Sequence, residues 1–222
     1  MKLDEMNLAD NTVVIFFSDN GGLCQPFGGY QGDKSPVTSN TPLRGEKGTL
    51  YEGGIREPLI VRWPGVVKPG TTCSVPVSSV DFYPTFLDIV GDKPDPNHAL
   101  DGVSILPLLR RTGTLERDAI YWHYPHYHHS TPAGAIRAGR WKLIEFYEDG
   151  RLQLYDLQSD IGEKHNLAAK MPQKAAELQR KLSAWRQSVG AKMPTPNLDY
   201  DPARANEWGS AQQKKPRQKL TE

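Results

Sequence analysis

The sequence predicts an α/β fold, in which an incomplete α/β part is followed by a small antiparallel sheet with one helix. Three observations predict this fold. A continuous run of β-branched and aromatic residues near the N-terminus is typical of a strand buried on both faces of a parallel sheet. A segment with a helical apolar period follows, and the second half carries short alternating segments, which are typical of antiparallel strands. We therefore expect units at residues 1–110 and 111–193, and an extended or disordered tail at 194–222.

The chain opens with a helix end and a strand. Residues 2–9 have the apolar spacing of the last turns of a helix, which Asp10 and Asn11 would end by competing for backbone hydrogen bonds. The run TVVIFF at residues 12–17 is the predicted buried strand. A central strand needs neighbours on both sides, so we expect the sequence to begin in the middle of a domain.

A second strand and a helix complete the first unit. The run PLIVRW at residues 58–63 is bounded by glycine and proline and predicts a strand. In SSVDFYPTFLDIVG the apolar spacing predicts a helix that Ser78 or Ser79 caps and Gly91 ends.

The second unit has strand patterns and one long helix. The segments AIYWHYPH, GAIRAGRWKLIEF and RLQLYDL alternate like strands, and Asp149-Gly150 between the last two is a hairpin signal. Residues 171–190 predict a helix with Pro172 near its start and Gly190 at its end. Its expected apolar face consists of Ala175, Leu178, Leu182, Trp185 and Val189.

Composition and charge exclude several classes of protein. The 27 Lys and Arg residues balance 26 Asp and Glu residues, so charge does not predict binding to nucleic acid. The basic run KKPRQK at residues 214–219 is interpreted as a solvated end of the chain. Apolar runs are too short to predict a membrane span. The two cysteines, Cys24 and Cys73, could pair but do not make a disulfide scaffold.

The N-terminal residues predict no signal peptide, because they are charged and lack an apolar core. As written, the chain is expected in the cytoplasm. A longer parent protein would be expected in the periplasm or outside the cell.

The first candidate site is the SDNGG turn that ends the first strand. Ligands of open α/β sheets bind outside the carboxyl ends of strands, which is where Asp19 and Asn20 lie. A carboxylate beside an amide carbonyl supplies hard oxygen ligands, which suit Ca²⁺ or Mg²⁺. The alternative is a simple strand-ending turn, since Asp, Asn and Gly are all common turn residues.

The second candidate site is the segment TPLRGEKGTLYEGGIREP at residues 41–58. Lys47 lies between glycines, with two arginines nearby, and cations beside flexible backbone suit an anion such as sulfate or phosphate. The spacing is not that of a phosphate-binding P-loop. Taken alone, the segment is equally well explained as a charged surface loop.

Together these segments resemble the sulfatase family of the alkaline-phosphatase-like superfamily. The resemblance covers residues 3–189 and lies in DNTVVIFFSDNGG and NTPLRGEKGTLYEGGIREPLIVRWPG, followed by SSVDFYPTFLDIVG, DGVSILPLL, RWKLIEF and LYDLQSDIGEKHNLA. It implies the C-terminal part of a sulfatase domain, with Asp19 and Asn20 as ligands of an active-site Ca²⁺ and Lys47 as a sulfate contact. Glu46 occupies a position that is often glycine in the family and is expected to point away.

The resemblance also implies a nucleophile that the printed sequence does not contain. Sulfatases use a formylglycine made from the first residue of C-x-P-S-R or S-x-P-S-R, upstream of the S-D-N-G motif, and nothing before Asp19 matches it. Cys24 begins C-x-P, but Phe27 and Gly28 replace the serine and arginine, and it follows the metal motif. We interpret Cys24 as a loop thiol.

The third candidate site is the histidine-rich segment WHYPHYHH. Its spacing matches no structural zinc site. In similar sulfatases a comparable segment lies near the substrate entrance, so the resemblance implies substrate contacts by His123 or His126. The alternative is a histidine-rich loop between two strands.

The resemblance implies hydrolysis of a sulfated carbohydrate or an aryl sulfate by a full-length form, with this chain inactive alone. A complementing N-terminal fragment is one expected partner. The alternatives are a non-catalytic truncated fragment or binding module, and a phosphodiesterase or phosphonate hydrolase of the same superfamily. The L-R-G-x-K-G motif favours a sulfatase.

Overall fold

The computed structural model describes residues 2–24 and 37–204. The KKPRQK run, and Phe27 and Gly28 of the C-x-P segment, lie outside the described residues. The first unit contains α1 (Lys2–Glu5), β1 (Val14–Phe17), α2 (Glu52–Ile55), β2 (Leu59–Arg62), α3 (Phe82–Val90) and α4 (Leu106–Arg110). The rest contains β3 (Ile120–Tyr124), β4 (Ala133–Ala138), β5 (Trp141–Phe146), β6 (Leu152–Asp156) and α5 (Pro172–Ser188).

Strand β1 does not lie in a parallel sheet. It pairs antiparallel with β2, with Phe16 opposite Ile60, and these two side chains are 64% and 62% exposed. On the other face Phe17 packs edge-on against Phe82 of α3, with ring centroids 4.9 Å apart. The prediction of a strand buried on both faces of a parallel sheet is therefore wrong for the part of the chain that the structure describes. The apolar run specified a strand, but it did not specify the direction of its neighbour.

The start of α3 is held by a buried aspartate. Ser78 and Asp81 form a reciprocal capping box around a 3-10 turn at Ser79–Asp81, and Gly91 ends the helix with a φ of 73°. This confirms the predicted cap and stop. The Asp81 carboxylate also accepts hydrogen bonds from the Val103 backbone at 3.0 Å and from Arg117 at 2.6 Å. These contacts fix α3 against the segments before and after α4.

The second half forms a four-stranded antiparallel sheet in the order β3-β4-β5-β6. The hairpin predicted at Asp149-Gly150 joins β5 to β6, and Gly150 has a φ of 67°. The segment GAIRAGRWKLIEF contains two strands, because the chain reverses at Gly139, which has a φ of 58°. The alternating pattern continues through this turn, so it did not reveal it.

Helix α5 covers one face of the sheet. Ala175, Leu178 and Leu182 are buried as predicted, and Trp185 stacks on Tyr121 of β3 with ring centroids 5.0 Å apart. Val189 lies just past the end of the helix and is 47% exposed, so its place on the apolar face was wrong. The fully buried partners of the helix on the sheet are Ile136, Leu143 and Leu154.

The N-terminal helix is shorter than predicted. It ends at Glu5, and Asn7 then adopts a left-handed conformation with a φ of 56°. Asp10 and Asn11 therefore lie in a separate 3-10 turn at Ala9–Asn11 instead of ending the helix. Cys24 and Cys73 are both free thiols, so they do not pair. Among the described residues, none of the helices combines the length and apolar character required to cross a bilayer.

Substituting Leu182→Ala should lower the free energy of unfolding by about 2–5 kcal/mol, because it removes buried contacts and leaves a cavity. Val189→Ala is the control beside the same helix and should change that free energy by less than about 0.5 kcal/mol. Urea unfolding followed by circular dichroism measures both. Equal losses would show that the face bearing Leu182 is not the core of this unit.

Candidate functional site

The backbone of the SDNGG turn, residues 18–22, packs directly against the backbone of the E-G-G segment, residues 52–54. The Gly21 amide donates to the Gly54 carbonyl at 3.1 Å, and a Cβ on Gly21 would lie 1.8 Å from the Gly53 carbonyl oxygen. Gly21 is absent from the residues with positive φ, so a left-handed turn does not explain it. Glycine is required at position 21 because two backbones meet there and leave no room for a side chain.

Asn40 joins the two predicted motifs. Its Nδ2 atom lies within donating distance of the carbonyl oxygens of Gly22 at 2.9 Å, Gly45 at 3.1 Å and Gly53 at 2.9 Å. One side chain thus ties the SDNGG turn both to the L-R-G-E-K-G loop and to the E-G-G segment that follows it. The sequence analysis did not single out Asn40, because an asparagine in a Ser- and Thr-rich segment carries no periodic signal.

A cavity of about 510 Å³ opens between these segments. Two of the predicted site residues, Asn20 and Lys47, line it together, although they come from separate motifs. The other lining residues are Ser18, Gly21, Gly22, Leu23, Thr38, Asn40, Leu43, Arg56, Glu57 and Pro58. The geometry therefore brings an amide and an ammonium group to one concave surface.

The oxygen atoms at this end of the cavity suit a hard cation. The Asn20 amide nitrogen donates to the Gly21 carbonyl at 3.3 Å, and the structure shows no described residue donating to its Oδ1 atom. Oε1 of Glu57 is buried without a hydrogen-bond partner among the described residues. Asp19 does not line the cavity, but its carboxylate is close enough to act on Glu57, and carboxylate and amide oxygens are the donors that Ca²⁺ and Mg²⁺ prefer. Within residues 2–24 and 37–204, however, no cluster of three or more His, Cys, Asp or Glu side chains could hold a metal ion.

Glu57 has an unusual carboxyl group. Burial and, to a smaller extent, the negative charge of Asp19 together raise its pKa to about 7. Both causes disfavour the carboxylate, so the folded protein keeps a proton on Glu57 at pH values where an exposed glutamate has lost it. Sequence analysis missed Glu57, since only the fold brings residue 57 beside residue 19.

Two cations face the same cavity. Lys47 is exposed and has a neighbour in Arg56, whose side chain is 47% exposed. The Arg56 guanidinium lies 3.5 Å from Oε2 of Glu52, and this ion pair orients it. A lysine and an arginine at one opening favour an anion there.

A buried ion cluster supports the loop that carries Lys47. Lys142 of β5 is fully buried, and its Nζ atom lies 2.9 Å from Glu52 Oε1 and 2.9 Å from Glu163 Oε1. Glu163 Oε2 accepts the Glu52 backbone amide at 2.7 Å. Burial raises the pKa of Glu163, and the Lys142 ammonium opposes this shift. The cluster therefore fixes α2, which follows the loop, onto the antiparallel sheet.

Arg44 makes a second attachment to the sheet. Its guanidinium donates to the Glu163 carbonyl at 2.8 Å and to the Tyr155 hydroxyl at 3.1 Å, and lies 4.1 Å from the centroid of the Tyr51 ring. The L-R-G-E-K-G loop is thus held at both ends, with Lys47 between them.

A family profile described as N-sulphoglucosamine sulphohydrolase, C-terminal, matches residues 45–188, which is more than half of the 222-residue chain. The chain belongs to the sulfatase family. It is 38% identical over 201 residues to a sulfatase of Formosa agariphila, covering 80% of this chain and 33% of that protein. It is 34% identical over 190 residues to arylsulfatase A of Homo sapiens, covering 74% and 35%. This sulfatase chain spans about a third of the length of these curated relatives.

Solved structures share the fold. Ps i-CgsB in complex with k-i-k-neocarrahexaose has a TM-score of 0.70 at 32% identity, covering 82% of this chain and 38% of that one. BT4656 in complex with its substrate D-glucosamine-2-N,6-O-disulfate has a TM-score of 0.67 at 31% identity, covering 86% and 37%. Phosphonate monoester hydrolase SpPMH from Silicibacter pomeroyi has a TM-score of 0.61 at 25% identity, covering 84% and 37%. The predicted fold, the C-terminal part of a sulfatase domain, is confirmed.

The histidines predicted from the sulfatase resemblance lie outside the cavity lining. Both ring nitrogens of His123 are engaged, since Nε2 donates to the Lys192 carbonyl at 2.9 Å and Nδ1 accepts from the Tyr147 hydroxyl at 2.8 Å. His126 packs edge-on against Tyr124, with ring centroids 5.7 Å apart. Substrate contact by His123 or His126 stays a prediction. The cavity in the described residues gives it no support.

The two histidines that follow approach the Lys47 loop instead. Nδ1 of His129 lies 3.0 Å from Glu46 Oε1, and a Cβ on Gly48 would lie 2.0 Å from Nδ1 of His128. Sequence analysis gave neither of these histidines a role. It expected Glu46 to point away, and Glu46 does not line the cavity.

Replacing Lys142 with alanine should lower the free energy of unfolding by about 3–5 kcal/mol, because two buried carboxylates lose their shared cation. Lys174→Ala removes the surface pair with Glu177, which should cost about 0–1 kcal/mol. Guanidinium unfolding at pH 7.5 compares the two variants. A loss below that of the surface pair would show that the cluster does not support the fold.

Glu57→Gln should make the protein more stable than the wild type, and the difference should grow as pH rises. The ordinary pKa is 4.5 and the folded pKa is about 7, so the unfolded state loses its proton first and wild-type stability falls across this window. Melting temperatures of wild type and E57Q should be similar at pH 4.5 and should diverge towards pH 8, with E57Q higher. Glu116→Gln, at an exposed carboxylate, should show no such divergence. A constant difference at all pH values would contradict the raised pKa.

Proposed function

We propose that this chain supplies the C-terminal part of the active site of a sulfuric ester hydrolase. In this proposal Asp19 and Asn20 bind Ca²⁺ and Lys47 contacts the sulfate group. The observation that supports it best is that Asn20 and Lys47 line one cavity, with Asp19 close enough to affect Glu57. A bound divalent cation would neutralise negative charge that develops on a sulfate ester, and the Lys47 ammonium would do the same from the other motif.

The substrate class is a sulfate ester of a carbohydrate or of an aryl alcohol. BT4656 was solved with a sulfated glucosamine and Ps i-CgsB with a neocarrahexaose, and the chain is similar to both. Similarity to arylsulfatase A supports the aryl alternative. A phosphonate hydrolase function is supported by the similarity to SpPMH. We favour sulfate because the L-R-G-x-K-G motif around Lys47 resembles that of the sulfatases.

The nucleophile would come from a complementing N-terminal segment that carries the formylglycine motif. The described residues offer such a segment an open surface. Phe16 and Ile60 face each other across β1 and β2, on the side opposite the Phe17–Phe82 contact, and both are more than half exposed. Exposed apolar patches mark interaction sites, so this surface is where we expect the segment to pack.

The proposal is tested by complementation. The purified chain should release no sulfate from 4-nitrophenyl sulfate or glucosamine 6-sulfate. Co-expression with the N-terminal part of the Formosa agariphila sulfatase, up to the region that this chain matches, should give a copurifying pair that releases sulfate. Lys47→Ala in that pair should lower kcat/KM by about 100-fold or more, the loss typical of removing one charge-stabilising donor.

Lys68→Ala, at an exposed lysine outside the cavity lining, is the matched control and should leave turnover unchanged. Sulfate release by the chain alone would contradict the need for a complementing segment. Copurification without turnover would favour a non-catalytic binding module. Faster cleavage of a phosphonate monoester than of any sulfate ester would favour the phosphonate hydrolase.

A further inference from the structure

Glu46 connects three separate segments of the chain. Its carboxylate is nearly buried, with 7% of the side chain exposed. Oε2 accepts the Cys24 backbone amide at 2.7 Å, and Oε1 lies 3.0 Å from Nδ1 of His129. The carboxylate thus bonds at once to the chain that leaves the SDNGG turn and to the histidine segment after β3.

The backbone around Glu46 forms a closed turn with Lys47 at its tip. Thr49 donates its hydroxyl to the Glu46 carbonyl at 2.8 Å, and its backbone amide donates to the same oxygen at 3.0 Å. The Lys47 backbone amide donates a hydrogen bond to the Gly22 carbonyl at 3.4 Å. Because these hydrogen bonds close the turn, a bond that fixes Glu46 also fixes where Lys47 begins.

The histidine pair packs on the other side of this turn. His128 and His129 stack with ring centroids 4.3 Å apart and an interplanar angle of 5°. His128 occupies the space that a side chain on Gly48 would need, since a Cβ there would lie 2.0 Å from its Nδ1 atom. The two neighbours of Lys47 are therefore both in contact with this pair, Glu46 with His129 and Gly48 with His128.

We propose that Glu46 and His129 form a carboxylate–imidazole pair that positions the Lys47 loop against the SDNGG turn. This inference rests on the proposed function, in which Lys47 and the turn share one ligand. It explains how a glutamate is accommodated next to a sulfate-binding lysine. Its negative charge is compensated by an amide and an imidazole N–H, and its position outside the cavity lining keeps it from the anion.

The pair determines the tautomer of His129. A carboxylate only accepts hydrogen bonds, so Nδ1 of His129 must carry the proton. In the neutral imidazole Nε2 is then unprotonated, and the structure shows no described residue donating to it. Glu46 and His129 are positioning residues, since they act on Lys47 through the turn.

Two NMR measurements on the isotope-labelled full chain test the pair. Long-range ¹H–¹⁵N spectra should show His129 as the Nδ1–H tautomer, and Glu46→Ala should remove that preference. Amide hydrogen exchange of Cys24 and Lys47 should accelerate about tenfold or more in Glu46→Ala, the effect of losing one hydrogen bond to a charged group. Glu46→Gln keeps the shape of the side chain but has one acceptor oxygen instead of two. It should therefore slow exchange of the Cys24 amide or orient His129, but not both.

His129→Ala should accelerate exchange at Lys47, and the double variant with Glu46→Ala should add little, because the two groups act as a unit. His126→Ala, in the same segment but outside this contact, is the matched control and should change neither measurement. An Nε2–H tautomer in the wild type, or unchanged exchange at Cys24 and Lys47 in Glu46→Ala, would overturn the inference. Neither measurement needs turnover, so failed complementation would count against the proposed function alone.

Discussion

The fold depends on one buried lysine between two carboxylates. Lys142 comes from the antiparallel sheet, Glu52 from the short helix after the cation-bearing loop, and Glu163 from the segment after β6. Removing three charges from water is costly, and the cost is offset only because each has a partner at hydrogen-bond distance. The cluster therefore fixes α2 and the segment after β6 onto the antiparallel sheet, since moving either carboxylate away would leave a buried charge without its partner.

The site is built on that junction from backbone rather than from large side chains. Gly21 allows the SDNGG turn to touch the E-G-G segment, Gly53 allows that segment to touch the Arg44–Gly45 backbone, and the Asn40 amide bonds carbonyls of Gly22 and Gly53. Such contacts leave little room for adjustment, because no flexible side chain stands between the two motifs. The cavity shared by Asn20 and Lys47 is a consequence of this close approach.

Local signals predicted the parts of the fold that local interactions determine. The cap at Ser78, the stop at Gly91 and the hairpin at Gly150 follow from hydrogen bonds and dihedral angles within a few residues. The antiparallel partner of β1 depends on residues more than forty positions away. The same applies to the site: the motifs pointed to Asn20 and Lys47, but contacts such as Glu46 with His129 span 83 positions and leave no periodic trace.

The meeting of Gly21 with Gly53 has an evolutionary consequence. Because a single methyl group at Gly21 would overlap the Gly53 carbonyl, no larger residue fits at position 21 unless the backbone at Gly53 retreats. The two motifs should be inherited together across relatives, and exchanging one without its natural partner should fail even where each matches its consensus. In effect they form one structural element that the chain encodes in two places.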